Sequence, residues 1–378
     1  MTYKELIKKS RGVIKGKLRL DFFSRFYKAP VFKQKRSKIS AEEIYELQKQ
    51  LLAQSVYSHL ETGRSKYYLK VLRASEGDVR NRYWLHLLLF LFTVLTTTIT
   101  GAIFLGRDAF SSWKELSYGL PYSFALMTIL LFHEMGHYIA ARYYKMKVTL
   151  PYFIPLFLPA FHPGTMGAFI RMRSSVPNKK ALFDIGIAGP LAGFAASIFF
   201  LSAGFYHLLN MNNALAYVSA IHPLDNQQGM DLILGSSILF DAMGSAFGAH
   251  YLPMNEIYHF PFIFAGWLGL LVTSLNLMPI GQLDGGHITY AMFGDRASKI
   301  AMLSFGLLIL LNVYLISSFN SYVWVLWPVI IFFFIKFRHP PTMDNSVGLD
   351  LKRKILGWLA YIIFIVSFSP IPVYISLN

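Results

Sequence analysis

Seven long apolar stretches follow one another along the second part of this chain: residues 84–105, 118–141, 182–208, 260–280, 300–317, 322–337 and 355–374. Each is near the ~20 residues a membrane-spanning helix needs, and the sixth is the shortest. Hydrocarbon offers the backbone no hydrogen-bonding partner, so such stretches are read as helices. The chain is 54% apolar and only 15% charged, too apolar for an ordinary soluble domain. The expected fold class is an all-α polytopic membrane protein with about seven transmembrane helices. Cysteine is absent, which excludes disulfides and thiolate metal ligands.

Charge orients these stretches. Residues 1–82 hold 20 Lys/Arg against 8 Asp/Glu, so +12 of the net +16 precedes the first apolar stretch. Such a basic segment suggests nucleic acid, but beside membrane helices it marks the cytoplasmic side and attracts anionic headgroups; no nucleic-acid partner is expected. Residues 209–258 contain no Lys or Arg, which places them outside. The segments 142–181, 281–299 and 338–354 are then cytoplasmic. Three regions result: a basic cytoplasmic region 1–82, a core 83–295 and additional C-terminal transmembrane helices 296–378. Ser40-Ala-Glu-Glu predicts a capped helix through Leu47, Leu51 and Leu52, a small helical extension. The broken apolar piece 232–247 reads as interfacial or re-entrant.

One apolar stretch resists a helix. Pro151, Pro155, Pro159 and Pro163 recur every fourth residue, each removing a backbone donor. Gly164-Thr-Met-Gly167 and a strand-like run to Arg173 follow. Residues 150–173 are expected to form a short re-entrant element with a β-hairpin.

The second stretch carries Phe132-His133-Glu134-Met135-Gly136-His137. On a helix, His133 and His137 share a face, so both imidazoles can reach one Zn²⁺. Glu134 can then take a proton from the attacking water, the general-base role of a zinc peptidase. The bland alternative is a pair of packing histidines, but ionisable groups in lipid are costly and are functional candidates by default. A catalytic zinc, one per chain, needs a third protein ligand. Asp284 lies just past the cytoplasmic end of the fourth stretch, in Asn276-Leu-Met-Pro279-Ile-Gly-Gln-Leu-Asp284-Gly-Gly-His287. Pro279 would interrupt the helix there and let Asp284 turn inward. Glu256 is a rival carboxylate on the opposite side, and His287 a closer rival better read as a capping or hydrogen-bonding histidine.

These two motifs, in this order, resemble the site-2 protease family of intramembrane zinc metallopeptidases (peptidase M50-type), over roughly residues 84–295. Gly189-Pro190-Leu-Ala-Gly193 is similar to the family's small-residue motif. Gly164-Thr-Met-Gly167 and Ala265-Gly-Trp-Leu-Gly269 look most like the bacterial and plastid branch typified by the plant yellow-green (gravitropism-deficient) proteases. The resemblance implies His133, His137 and Asp284 as zinc ligands, Glu134 as catalytic base and Asn276 as a contact to the substrate backbone. The loop 209–258 is too short for the PDZ domain that many bacterial members insert. Gly164, Gly167 and the strand after them are expected to bind an unwound substrate by β-augmentation.

The implied function is a zinc metalloprotease cutting transmembrane protein substrates within or near their spans, as in regulated intramembrane proteolysis. Alternatives are a membrane-embedded zinc protease of soluble or lipidated chain ends, and a non-catalytic chaperone or transporter. The expected setting is multi-pass in the lipid bilayer. With no signal peptide and no Ser-rich, acid-poor leader visible, a bacterial inner membrane is favoured over a plastid one.

Overall fold

A computed structural model of the chain describes residues 82–158, 162–211, 213–221, 230–249, 252–319, 321–335, 337, 339–340, 342–345 and 347–377. Before residue 82 it describes four strands and isolated helical positions between residues 8 and 51. The chain divides into two compact units. One gathers residues 1–79, 172–179 and 340–348; the other gathers 80–171, 180–339 and 349–378.

The first unit contains strands β1 (Leu18–Ser24), β2 (Ala29–Gln34), β3 (Val56–Thr62) and β4 (Tyr67–Arg73). They form one antiparallel sheet in the order β1-β2-β4-β3. The small helical extension expected here is therefore a sheet-bearing unit. Glu46, Leu47, Gln50 and Leu51 are helical as expected, and the rest of 40–52 lies outside the described residues. The strand signal was present in Tyr67-Tyr-Leu-Lys-Val-Leu-Arg73, rich in β-formers and preceded by Gly63.

The second unit is helical. Its principal helices are α1 (Tyr83–Phe104), α2 (Leu120–Tyr143), α3 (Lys179–Leu209), α4 (Pro261–Leu277), α5 (Asp284–Phe293), α6 (Ala297–Phe319) and α7 (Leu351–Ser367). Among the described residues, four helical stretches are long and apolar enough to cross a membrane: α1, α2, α3 and the α5–α6 run 284–319. The expected count of seven is not confirmed among the described residues. Helix α4 is apolar but has only 17 residues. The sixth stretch breaks into a helix at Leu326–Ile330, with Pro328 inside it, and a π-turn at Ile331–Ile335. The seventh stops at Ser367, shortly before Pro370 and Pro372, and continues as β8 (Val373–Leu377). β8 pairs antiparallel with β7 (Met230–Leu234), which opens the piece expected to be interfacial.

The expected hairpin is present: β5 (Tyr152–Pro155) pairs antiparallel with β6 (Thr165–Phe169), with a register shift between Phe153 and Pro155. Two hydrogen bonds seat it on the helices. Thr96 of α1 donates to the Gly164 carbonyl at 2.7 Å, and the Tyr122 hydroxyl of α2 donates to the Pro163 carbonyl at 2.9 Å. A positive φ of 81° at Gly164 suits only glycine, and a Cβ there would crowd Thr97 and Thr100.

Helices α1, α2 and α4 meet over an aromatic cluster of Phe104, Tyr122, Phe264 and Trp267, with successive ring centroids 5.2–5.7 Å apart. Small residues let α3 and α4 approach closely: a Cβ on Gly266 would collide with Leu201, and one on Gly269 with Ser197. Lipid gives helices no hydrophobic reason to associate, so such close approach supplies the packing. This accounts for the Ala-Gly-Trp-Leu-Gly run noted in the sequence.

Candidate metal centre

Helix α2 buries one stripe, Tyr122, Leu126, Ile129, Leu130, His133, His137 and Ala141, and exposes Phe124, Phe132 and Ile139. The stripe has helical spacing, so the sequence that packs α2 against its neighbours also turns both imidazoles inward. His133, Glu134 and His137 are 5%, 6% and 7% exposed, values typical of core residues.

Asp284 arrives from a different element. Helix α4 ends at Leu277, the chain turns through Pro279 and Gly281, and Asp284 is the first residue of α5. Gly285 and Gly286 allow this return: a Cβ at either would overlap carbonyls of residues 277–281. The carboxylate oxygen of Asp284 then lies 3.3 Å from His133 Nε2 and 3.2 Å from His137 Nε2, and the two nitrogens lie 3.1 Å apart. These three residues are the group of metal-type donors found among the described residues.

The spacing suits a metal ion. Three corners of a tetrahedron around an ion with bonds of ~2.0–2.1 Å stand about 3.3–3.4 Å apart. The observed 3.1, 3.2 and 3.3 Å match that edge closely. The donor chemistry agrees. His137 Nδ1–H donates to the Ile185 carbonyl of α3 at 2.7 Å, so in the neutral ring the lone pair lies on Nε2. In the neutral ring that lone pair faces a second ring nitrogen and a carboxylate oxygen, an arrangement that a cation between them would satisfy.

Helix α3 makes room for these rings. A Cβ on Gly189 would overlap His137 Nε2, and one on Gly193 would sit 3.1 Å from His133 Nδ1. Gly136, between the histidines, lets α2 approach the Ala188 carbonyl. Gly189 and Gly193 share the four-residue spacing of the imidazoles they face, the signal by which their role could have been read. The Ile185 carbonyl left no such signal, because every residue has one.

The backbone of Ile170, just past β6, lies beside the Glu134 carboxylate. Arg171 turns both backbone groups toward Thr149 at 3.0 and 3.2 Å, so the alternation turns those of Ile170 the other way, toward Glu134. The side-chain amide of Asn276 lies 3.3 Å from His133 Nε2, at the edge of the donor set. Gly164 does not reach the set; it is buried against α1. Gly167, with φ at 96°, faces open space on the hairpin. His287 is outside this donor group, and its Nδ1 lies 2.5 Å from His339 Nε2. Glu256 is buried beside His259 at 3.3 Å, in the segment before α4.

Apolar helices closing around two buried histidines and a partly buried aspartate, with a glutamate beside them, define a membrane protein built around a metal-type centre. Residues 121–316, more than half of the chain, match the model of Peptidase family M50, and the chain belongs to that family. It is similar to a probable zinc metalloprotease EGY1, chloroplastic, of Oryza sativa subsp. japonica, 38% identical over 188 residues, 50% of this chain and 30% of that protein. It is 29% identical over 256 residues to the Arabidopsis thaliana protein of the same name, 67% of this chain and 43% of that one. A probable zinc metalloprotease EGY2, chloroplastic, of Oryza sativa subsp. indica is 33% identical over 273 residues, 70% of this chain and 46% of that protein. These relatives agree with the yellow-green branch. The chain spans less than half the length of the relatives named here. No solved structure matches it.

The expectation of a bacterial inner membrane over a plastid one is overturned. The relatives just named are all chloroplastic, which points to a plastid membrane. The leader argument fails because a chain covering less than half the length of these relatives does not show whether the protein has a leader.

Proposed function

We propose that this protein is a zinc metalloendopeptidase that hydrolyses peptide bonds within or near the transmembrane segments of membrane-protein substrates. The convergence of His133, His137 and Asp284 at mutual distances of 3.1–3.3 Å, from two separate helices, carries the reading. These three side chains would hold the zinc. When bound, zinc polarises the scissile carbonyl and acidifies water. Glu134 takes the proton of the attacking water and passes it to the leaving amine. Ile185 orients His137, and the packed glycines of α3 keep both rings in place. Asn276, at the margin of the donor set, is placed to donate to a substrate carbonyl.

A substrate helix hides its peptide bonds in its own hydrogen bonds and must unwind before cleavage. β6 offers an edge for that extended segment, and Ile170 links this edge to Glu134. Ala168 presents its backbone on the same side of the strand as Ile170. Ala168→Pro removes one outward N–H from that edge without touching a ligand. The expected result is at least about tenfold slower cleavage of a single-span peptide in liposomes, with zinc content unchanged. Equal cleavage rates would refute strand pairing. Hydrolysis of soluble peptides alone, with spanning peptides left intact, would refute the substrate class.

A further inference from the structure

Arg353 stands in the first turn of α7, beyond the residues 121–316 that match the family. Its guanidinium grips Asp184 of α3 with two parallel bonds, Nε to Oδ1 at 2.8 Å and Nη2 to Oδ2 at 2.6 Å. The same carboxylate accepts the hydroxyl of Tyr144, the residue after α2, at 2.5 Å. Burial and the neighbouring Asp184 push this phenol up to about 12, so it stays a neutral donor. Asp350, which caps α7 by accepting from the Arg353 backbone N–H at 3.1 Å, also pairs with the other side of the guanidinium. The fork is thus held in one plane from both sides, a geometry that arginine can adopt and lysine cannot.

The residue after Asp184 is Ile185, whose carbonyl accepts from His137 Nδ1–H. Helix α7 also packs on α3 and α5 further along. Gly357 packs with no room for a Cβ against Met292 of α5 and Phe183 of α3. The Tyr361 hydroxyl lies 2.8 Å from Thr289 Oγ1 on α5. Helix α7 therefore joins the helix that orients His137 to the helix that begins with Asp284. Ligand sets tolerate displacements of only about 0.5 Å.

We infer that Arg353 is a positioning residue for the metal centre: its two-pronged pair with Asp184 sets α3 so that the Ile185 carbonyl holds His137 in register with Asp284. This rests on the zinc-site reading of the preceding subsection. The test measures zinc affinity of the purified full-length chain by chelator competition and the visible absorption of its cobalt-substituted form, both independent of turnover. Arg353→Ala and Asp184→Asn are each expected to weaken zinc about 10–100-fold, the usual cost of losing a partner behind a ligand. Exchange of the two charges, Asp184→Arg with Arg353→Asp, is expected to recover much of the loss.

Arg353→Lys keeps the charge without the fork, and decides the matter if the alanine variant does not assemble. It is expected to weaken zinc and shift the cobalt bands. A lysine variant with wild-type affinity, within about twofold, and unshifted bands overturns the inference. So does a lower Tm with unchanged affinity and bands, since that marks a merely structural pair. A wild-type chain that holds no zinc overturns the zinc-site reading and this inference together; tight zinc in both wild type and Arg353→Lys overturns this inference alone.

Discussion

Replacement of Glu134 by Gln is expected to leave zinc bound and to slow peptide-bond hydrolysis by about 10²–10⁴-fold, the usual contribution of a positioned general base. Gln has the shape of Glu and can take the same place, but it cannot take up a proton. The side chain belongs to no part of the donor set, whose three members are His133, His137 and Asp284. Loss of rate without loss of metal is therefore the specific signature. Zinc content and cleavage of a spanning peptide, measured on the same preparation, provide the check. Normal cleavage by Glu134→Gln would show that the proton is handled elsewhere.

Gly189→Ala is expected to cost zinc affinity at least about 100-fold, comparable with losing a ligand's supporting shell. The added Cβ would occupy the place of His137 Nε2. The ring cannot simply swing aside, because its Nδ1–H is committed to the Ile185 carbonyl at 2.7 Å. In a helix Ala is favoured over Gly by about 1 kcal/mol, so propensity does not weaken α3. Gly306→Ala, on α6 with nothing within 4 Å of the new Cβ, makes the comparison and should leave zinc unchanged. Equal zinc affinity in the two variants would mean that His137 is not where the structure places it.

The elements of this centre that could be read in advance are those that impose a spacing. Two histidines four apart on an apolar helix face the same way by geometry alone. Pro279 and the glycines after Asp284 announce a turn that brings a carboxylate back toward the helices. The hairpin at residues 152–169 was legible because proline every fourth residue forbids a helix. The parts that stayed hidden have no side-chain signature. The carbonyl of Ile185 is chemically identical to any other, and the pairing of Asp184 with Arg353 joins residues far apart in sequence.

Hydropathy weighs apolar atoms and ignores backbone donors, so it does not register where an apolar stretch is broken. Pro328 lies in a helix of only five residues, and Pro370 and Pro372 follow the end of α7. The N-terminal sheet was missed for the converse reason: strands of six or seven residues with polar interruptions leave no trace in a search for long apolar runs. Burial on α2 was the more reliable guide, because the polar triplet continues the packed stripe instead of interrupting it.

Zinc content of the purified full-length chain, measured for the wild type and for Asp284→Ala, asks directly whether the carboxylate and the two imidazoles hold one ion. About one zinc per wild-type chain and close to none in Asp284→Ala is the expected result for a site that needs all three protein ligands. Equal zinc in both would contradict it, and would leave the 3.2 and 3.3 Å approaches of Asp284 to the histidines as a hydrogen-bonded contact with no metal to explain.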